Sequence, residues 1–426
     1  MTDSGDNNDE KEKQLSPAES AIIEMLKQQN ISAQPISTQQ GDSSPQHAFW
    51  DSQPMPHGSR DEHQEGPIQP NKPTEEIRQE PYAMPAGFEW SNVNVEDDAE
   101  RLELYNLLAN NYVEDDDALF RFDYSHEFLL WALTPPGFRA DFLFGVRSTS
   151  SKKLVAFISA VPARVKIYDR EVEVVEINFL CIHKKLRSKR LAPVLIKEIT
   201  RRVNLTGVFQ AVYTAGTVLP VPVASCRYYH RSLNPKKLVN VGFSRLGSRM
   251  TMARLQKLYK LPEAPSTKGL RPMEKKDVEG VHTLLNTYLE KFKIKILFSK
   301  DEIAHWLLPR KNVIDTYVVE SPNGEITDML SFYHLPSTIL NQDDTLYAAY
   351  SYYNVATSMD LLELMREALI LAKSKGTDVF NALNLMDNQS IMEPLKFGMG
   401  DGNLQYYVYN WACPEMSSDS VGIVLL

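Results

Sequence analysis

The chain has 426 residues, of which 43% are hydrophobic and 24% charged, a balance typical of a globular protein with two or three domains. Its net charge of −9 belongs to the first 80 residues, which hold 15 acidic and 6 basic side chains, while the rest is neutral. This distribution argues against a nucleic-acid-binding surface. Three cysteines without a CxxC pair argue against a disulfide framework and a typical zinc site, and they indicate a reducing, cytoplasmic setting.

Residues 1–45 have the composition of a disordered acidic tail, whereas the sequence from about residue 88 predicts folded structure that repeats itself. Helix, helix, hairpin, strand, helix and strand follow in that order in both halves. One matched pair is FDYSHEFLLWAL (122–133) and FSKDEIAHWLL (298–308), each a short helix with a single Trp. The repeat predicts a duplicated α/β protein, two pseudo-twofold-related units with the layout of the GCN5-related acyltransferase (GNAT) fold. Chance similarity of two α/β patterns is the alternative.

A strand that runs into a basic loop is the strongest local signal, and it covers EINFLCIHKKLRSKR (176–190). Ala192 and Pro193 then begin a helix. A helix N-terminus surrounded by cations attracts anions, so this segment predicts a phosphate site. A solvated basic turn explains the same residues, and both interpretations stay open at this point.

Three further segments carry candidate chemistry. The acidic YVEDDD (112–117) indicates either a site for a cationic ligand or a solvated loop. The glycines of KFGMGDG (396–402) indicate either close approach of another chain or a tight turn. The apolar end VGIVLL (421–426) should be buried. Burial of the Leu426 carboxyl would raise its pKa above ~3.5 and make it a better base, although a docked strand with an exposed carboxylate is the alternative. Cys181 lies in an apolar strand and is expected to be an inert buried thiol.

Together these segments resemble the N-myristoyltransferase family over residues 46–426. EINFLCIHKKLRSKR resembles the first family signature and KFGMGDG the second, and other matching segments are FWDSQP, YVEDDDALFRFDYS, AVYTAG, RYYHRSLNPKKL, LPSTI and FNALNLM. The resemblance implies transfer of myristoyl from myristoyl-CoA to the α-amine of an N-terminal glycine, without a metal or an acyl-enzyme. It implies a half over 46–258 that binds myristoyl-CoA and a half over 259–426 that binds the peptide and ends in the catalytic carboxylate.

The resemblance also implies roles for single residues. The backbone N–H groups of Phe179 and Leu180 would form an oxyanion hole, and the Leu426 carboxylate would take a proton from the glycine ammonium. The implied myristoyl-CoA contacts are Ala48, Phe49, Trp50, Phe179, Leu180, Cys181, Ile182, Ser188, Lys189, Arg190, Leu191 and Ala192. The implied peptide contacts are Tyr112, Asp115, Asp116, Phe120, Thr214, His230, Ser337 and Asp401.

Among the peptide contacts, Asp115 and Asp116 would read basic residues of the substrate, and His230 would contact a Ser or Thr hydroxyl further along the peptide. Ala48 departs from the family pattern, which usually has a polar residue there. The acidic tail lacks the Lys-rich segment that links animal members to ribosomes, so a ribosome partner is left open. The expected oligomeric state is a monomer.

Two other functions compete with this interpretation. An acyltransferase of the same fold could act on lysine or a small amine, but the long second half, the acidic loop and the apolar C-terminus argue against it. A binding protein could keep an acyl-CoA pocket without chemistry. That function predicts a lost terminus or a broken oxyanion strand, and the sequence has neither.

Overall fold

The computed structural model describes residues 49–56, 64–115 and 119–426. The predicted acidic tail, 1–45, lies outside these residues.

The described strands are β1 (Phe88–Asn92), β2 (Phe120–Phe122), β3 (Leu143–Ser148), β4 (Leu154–Ile167), β5 (Arg170–Ile182), β6 (Gln210–Ala215), β7 (Ala224–Ser232), β8 (Leu270–Pro272), β9 (Ile294–Ile296), β10 (Ile314–Glu320), β11 (Ile326–His334), β12 (Ser337–Ile339), β13 (Thr345–Leu346), β14 (Ala348–Ser351), β15 (Val379–Leu383), β16 (Gly398–Tyr409) and β17 (Val421–Gly422). The described α-helices are α1 (Asp98–Asn111), α2 (His126–Leu133), α3 (Leu191–Asn204), α4 (Pro235–Asn240), α5 (Met252–Leu258), α6 (Val278–Leu289), α7 (Lys300–Leu307), α8 (Leu361–Ser374) and α9 (Gln389–Met392).

One large sheet joins the two halves, and its strand order reads alike from both ends. The order is β1-β3-β4-β5-β6-β16-β7-β15-β14-β11-β10-β8. Each half contributes a hairpin, β3–β4 or β10–β11, and one parallel pair, β5–β6 or β14–β15. The innermost strands are exchanged, because β16 pairs with β6 and β7 pairs with β15. This arrangement confirms the predicted duplicated α/β fold.

Helices cover both faces of the sheet. α3 connects the parallel strands β5 and β6, and α8 connects β14 and β15, each with its own apolar cluster. α1, α2, α6 and α7 pack into the largest cluster. Side chains of β5 alternate accordingly, since Val174 belongs to the large cluster and Val175 packs with α3. The alternation places α3 over β5, the strand that runs into the basic loop.

The matched helices α2 and α7 meet where the two halves join. The rings of Trp131 and Trp306 are 5.1 Å apart at their centroids and nearly perpendicular. Nε1 of Trp131 donates to the carbonyl of His305 at 3.1 Å, and Nε2 of His305 lies 2.7 Å from the carbonyl of Trp131. The repeat detected in the sequence therefore corresponds to a physical contact between equivalent helices.

A fully buried carboxylate holds α3 against the N-terminal segment. Glu198 accepts hydrogen bonds from Arg201 at 2.7 Å, from Arg202 at 2.9 Å and from the backbone N–H of Tyr82 at 3.1 Å. Burial alone would raise the pKa of Glu198, but these hydrogen bonds outweigh it and lower the pKa. The ionised carboxylate is thus the form that stabilises this region.

We expect Glu198→Gln to reduce the free energy of unfolding by about 3–5 kcal/mol at neutral pH, because it leaves buried cations without their partner. The lowered pKa means that the contribution is complete above the unfolded value of ~4.3 and is lost as the pH falls through the folded value. Urea denaturation should therefore show that the variant and the wild type differ less in free energy of unfolding as the solution becomes acidic. The control is Glu279→Gln, which breaks an exposed pair with Lys300 and should leave the midpoint unchanged. An equal shift in both variants would contradict the prediction.

Candidate active site

A cavity opens where β5 and β6 separate. The two strands pair only through Val174, Val175 and Glu176 of β5, and the cavity of about 920 Å³, part of it open to solvent, begins there and extends under α3. Its lining residues are Trp50, Tyr112, Ile158, Val175, Ile177, Asn178, Phe179, Leu180, Ile196, Ile199, Thr200, Val203, Asn204, Phe209, Gln210, Ala211, Tyr213, Thr214, Ala215, Leu219 and Tyr409. Because most of these side chains are apolar, the cavity suits a long apolar group with its polar end at the mouth.

A β-bulge in β5 lies at this cavity. Phe157 of β4 pairs with Cys181 and Ser159 pairs with Asn178, so Phe179 and Leu180 together face a single residue of β4. Phe179 has a φ of +53°, in the left-handed region that non-glycine residues rarely adopt. Both residues line the cavity. The bulge thus takes the two predicted oxyanion-hole residues out of regular strand pairing.

The C-terminus enters the molecule beside the bulge. β17 pairs in parallel with β9, and Val421 to Val424 are buried, as the apolar ending predicts. The N–H of Val424 donates to the hydroxyl of Tyr353 at 3.1 Å. Leu426 is partly buried, and its main-chain oxygen accepts a hydrogen bond from Nδ2 of Asn178. The terminal carboxylate therefore lies next to the bulge rather than at a free surface.

Asn178, which is not among the predicted site residues, connects these groups. Besides its bond to Leu426, its Oδ1 accepts from the N–H of Phe179 at 2.8 Å and from the hydroxyl of Tyr112 at 3.4 Å. The available signal was a polar residue within the apolar run INFLCI. The Asn178 side chain orients the carboxylate. In this structure its Oδ1 also accepts the hydrogen bond from the N–H of Phe179, one of the two predicted oxyanion donors.

The basic loop forms a 3-10 turn, Lys184–Lys189, followed by Arg190 with a φ of +57° and the first residue of α3. Lys184 pairs with Glu114, and Arg187 donates to a backbone carbonyl at the end of α1. Lys189 and Arg190 make no ion pair within the described residues, and no side chain caps the first turn of α3. Two unpaired cations at an uncapped helix N-terminus make a favourable phosphate site, which the predicted residues Ser188, Leu191 and Ala192 adjoin in the chain.

One aromatic residue of the N-terminal segment, Trp50, lines the cavity, and a second, Phe49, packs on it. Trp50 stacks on Tyr213 with ring centroids 5.9 Å apart, and Phe49 contacts Trp50 edge-on at 5.3 Å. Tyr409 donates to Gln53 Oε1 at 2.9 Å and holds the segment in place. The predicted contact Ala48 lies outside the described residues.

Cys181 and Ile182 follow the bulge and are both buried. Burial raises the pKa of the Cys181 thiol to about 12, so the thiol is neutral at physiological pH and a poor nucleophile. This confirms the expected buried thiol.

The predicted peptide residues lie mainly where the two halves meet. Thr214 lines the cavity. Phe120 pairs with Ile339, and Phe122 pairs with the buried Ser337, in a small sheet of β2, β12 and β13. Oδ1 of Asp115 accepts from the backbone N–H of Leu119 and Phe120, so this side chain shapes the loop as well as carrying charge. Asp116 lies outside the described residues.

His230 on β7 is held in one tautomer. Its Nδ1 lies 2.7 Å from Oδ1 of Asn381, an acceptor, so Nδ1 carries the proton. Burial lowers the pKa of His230, and this outweighs the opposing effects of Asn381 and of the nearby Asp401. The ring is therefore neutral, and its Nε2 is an acceptor that faces the backbone of Gly400.

The glycine-rich segment lies in strand β16, where the register with β7 shifts between Met399 and Asn403. It is therefore not a tight turn. A Cβ at Gly400 would lie 2.4 Å from Nε2 of His230, whereas a Cβ at Gly402 would lie 3.6 Å from the nearest atom, on Tyr228. Close approach of His230 requires glycine at position 400.

We expect Gly400→Ala to displace the His230 ring and raise KM for a peptide substrate by about 10-fold or more, through loss of roughly one hydrogen bond and some packing. Acyl-CoA affinity should be unchanged. Gly402→Ala adds the same methyl group at ordinary contact distance and is the matched control. Steady-state kinetics with varied peptide checks this, and equal KM values for the two variants would contradict it.

A chain of aromatic rings runs from the bulge into the second half, and the sequence analysis missed most of its members. Tyr124 contacts Phe179 at 5.1 Å between centroids, Phe122 contacts Tyr350 at 6.3 Å, and Tyr350 stacks on Tyr333 at 5.2 Å. Their sequence signal, strands rich in Tyr, also fits ordinary core strands. Here these rings lie between the bulge and the residues contributed by the second half.

The described residues contain no cluster of three His, Cys, Asp or Glu side chains suited to a metal ion. Every helix in the described part of the chain falls short of the length and apolarity that a bilayer crossing demands.

Comparisons with known proteins are consistent along the whole folded region. Residues 67–226 match the family model for the N-terminal domain of myristoyl-CoA:protein N-myristoyltransferase, and residues 240–424 match the model for its C-terminal domain. The chain is 58% identical over 379 residues to glycylpeptide N-tetradecanoyltransferase 2 of Bos taurus, covering 88% of this chain and 76% of that protein. It is 55% identical over 387 residues to glycylpeptide N-tetradecanoyltransferase 1 of Arabidopsis thaliana, covering 89% of each chain.

A solved structure gives the same result. The crystal structure of Saccharomyces cerevisiae N-myristoyltransferase with bound myristoyl-CoA superposes with a TM-score of 0.87 at 41% identity, covering 90% of this chain and 100% of that one.

Proposed function

The chain belongs to the myristoyl-CoA:protein N-myristoyltransferase family, whose members are acyltransferases, and we propose that it transfers myristoyl from myristoyl-CoA to the α-amine of an N-terminal glycine. The observation that carries this proposal is the meeting of three features at one point. The apolar cavity, the bulge at Phe179 and Leu180, and the Leu426 carboxylate are joined through Asn178.

The donor would bind with its CoA phosphates at the start of α3 and its acyl chain in the cavity. Lys189, Arg190 and the free N–H groups up to Ala192 supply positive potential. Trp50 and Phe49 cover the mouth. In this arrangement the thioester carbonyl lies at the bulge, since the bulge stands between the phosphate site and the apolar depth.

The chemical step needs a neutral amine. An α-amine has a pKa of ~8 and is mostly protonated at neutral pH, so the Leu426 carboxylate accepts one ammonium proton. The amine nitrogen then attacks the thioester carbon to form a tetrahedral intermediate. As the carbon–sulfur bond breaks, the second proton of the amine nitrogen passes to the departing sulfur, so CoA leaves as the thiol, and the proton on Leu426 passes to solvent. The N–H groups of Phe179 and Leu180 stabilise the developing oxyanion. For this, the N–H of Phe179 exchanges its present acceptor, Oδ1 of Asn178, for the carbonyl oxygen.

The peptide would lie along the ring chain between the halves. Residues 46–258 would bind the donor and contribute side chains to the peptide groove, and residues 259–426 would supply the rest of the groove and the catalytic terminus. Tyr112, Thr214, Phe120 and Ser337 lie along this route. The neutral His230 offers Nε2 as acceptor for a substrate hydroxyl, and Asp115 with Asp116 supplies charge for basic residues. Glycine selectivity follows from the packed rings around the amine position.

The test is acyl transfer from myristoyl-CoA to a short peptide that begins with Gly, beside a twin that begins with Ala, with mass spectrometry locating the added group. We expect a myristoyl amide on the Gly amine alone. Modification of the Ala twin at a similar rate, or of a lysine side chain instead of the amine, would contradict the proposal. Donor binding without transfer to either peptide would indicate a binding protein.

A further inference from the structure

The lining of the cavity reaches from the bulge of β5 to a closed end, where the pairing of β5 and β6 leaves no gap between the strands. Val175 at the closed end lies five positions before Leu180 at the bulge, about 16 Å of strand. Along α3 the lining runs from Ile196 to Asn204, about 12 Å of helix. The depth is therefore comparable with the length of a long-chain acyl group, and whatever closes the far end limits the chain.

Phe209 lies at that closed end. It precedes β6, follows the turn that ends α3, and lines the cavity together with Val203 and Asn204. Its ring is 8% exposed, yet within the described residues it is not a member of any of the three apolar clusters. The next residues, Gln210 and Ala211, also line the cavity and pair with β5. Phe209 is therefore part of the lining at the end of the cavity where the two strands meet, which we call its floor.

An open groove adjoins this end of the cavity, and its lining includes Asn71, Val208, Gln210 and Trp411. Gln210 borders both the cavity and the groove, and its Nε2 donates to Oδ1 of Asn71 at 3.4 Å. Removing the Phe209 ring would therefore deepen the cavity toward a space that already exists.

From this placement we propose that Phe209 is the residue that sets the acyl-length limit of the enzyme, by closing the cavity against the outer groove. The inference rests on the proposed function, since it assumes that the acyl chain of the donor occupies the cavity. A smaller side chain at position 209 admits longer chains, and a larger one restricts the enzyme to shorter chains.

The experiment compares wild type, Phe209→Ala, Phe209→Leu and Phe209→Trp with lauroyl-, myristoyl-, palmitoyl- and stearoyl-CoA. Donor affinity and transfer to a Gly-first peptide are both measured. For Phe209→Ala we expect the ratio of palmitoyl- to myristoyl-CoA affinity to rise by about 15-fold, the effect of burying two further methylene groups. Phe209→Leu should shift the ratio the same way by less, and Phe209→Trp should move the optimum to lauroyl-CoA.

Ile196→Ala is the matched control, because it removes volume from the side wall rather than the floor. It should weaken all donors without moving the optimum. Thermal melting of each variant establishes that it is folded, and Phe209→Leu replaces Phe209→Ala if the latter does not melt cooperatively. An unchanged palmitoyl-to-myristoyl ratio in the folded, active Leu variant would overturn the inference. Absence of transfer by the wild-type protein would instead overturn the proposed function.

Discussion

Adding one alanine after Leu426 is expected to lower the rate of the chemical step by about 10²–10⁴-fold, the range for removal of a general base. The extension converts the terminal carboxylate into an amide and moves the new carboxylate by about 3.5 Å along the chain. The hydrogen bond from Asn178 to Leu426 remains available to the new amide oxygen, so the site should stay assembled. Myristoyl-CoA affinity should therefore change little.

The pH dependence separates this role from a structural one. Above about pH 8 a growing fraction of the substrate amine is already neutral, so the extended enzyme should recover part of its rate. The control is Leu426→Ala, which changes the side chain and keeps the carboxylate, and should retain a rate within several-fold of wild type. Single-turnover kinetics across pH 6–9 measures both. An extended enzyme with the wild-type rate, or a Leu426→Ala variant that loses as much as the extended chain, would contradict the carboxylate's role.

Replacing Asn178 with Leu is the second change with a large expected effect. The substitution keeps the volume but removes the donor to Leu426 and the acceptor for the N–H of Phe179 and the Tyr112 hydroxyl. Hydrogen bonds to charged groups contribute about 1.5–3 kcal/mol, so the loss of orientation at the carboxylate should lower kcat by roughly 10–150-fold. Donor affinity should be nearly unchanged, because the phosphate site keeps its side chains and Leu places only apolar atoms at the position where Asn178 lines the cavity.

Ser159→Ala is the control for Asn178. Ser159 donates to the backbone carbonyl of Asn178 across the same bulge at 2.9 Å, but it touches neither the carboxylate nor the N–H of Phe179. It should affect the melting temperature more than kcat. If Ser159→Ala and Asn178→Leu lower kcat equally, Asn178 supports only the shape of the bulge and does not position the carboxylate.

Local patterns in the sequence predicted much of the fold. The helix predicted to begin at Ala192 and Pro193 is α3 (Leu191–Asn204), and the strand predicted to run into the basic loop is β5 (Arg170–Ile182). The matched Trp helices also meet in space. These elements follow from hydrophobic periodicity and start signals, which depend on neighbouring residues only. The exchange of β7 and β16 between the halves was not predicted, because strand pairing over such sequence distances leaves no local pattern.

The candidate site likewise contains residues that a local sequence pattern marks and residues that no local pattern marks. The apolar end of the chain, which is buried from Val421 to Val424, and the basic start of α3 were visible as unusual composition. Asn178 was not, because a single Asn within a strand gives no hint that a bulge follows it or that the terminus lies against it. The sequence was compatible with two roles for Gly400, a turn or a close approach. The short distance between a Cβ built at Gly400 and Nε2 of His230 favours the close approach.

The most direct test of the proposed mechanism follows a single turnover in two stages. The enzyme is first mixed with one equivalent of myristoyl-CoA without peptide, and a Gly-first peptide is then added, while free CoA and the mass of the protein are recorded. Direct attack by the glycine amine predicts no CoA release and no acylated protein in the first stage, and one equivalent of CoA with one of acylated peptide in the second. CoA release or an acylated protein before the peptide is added would contradict direct transfer at this site.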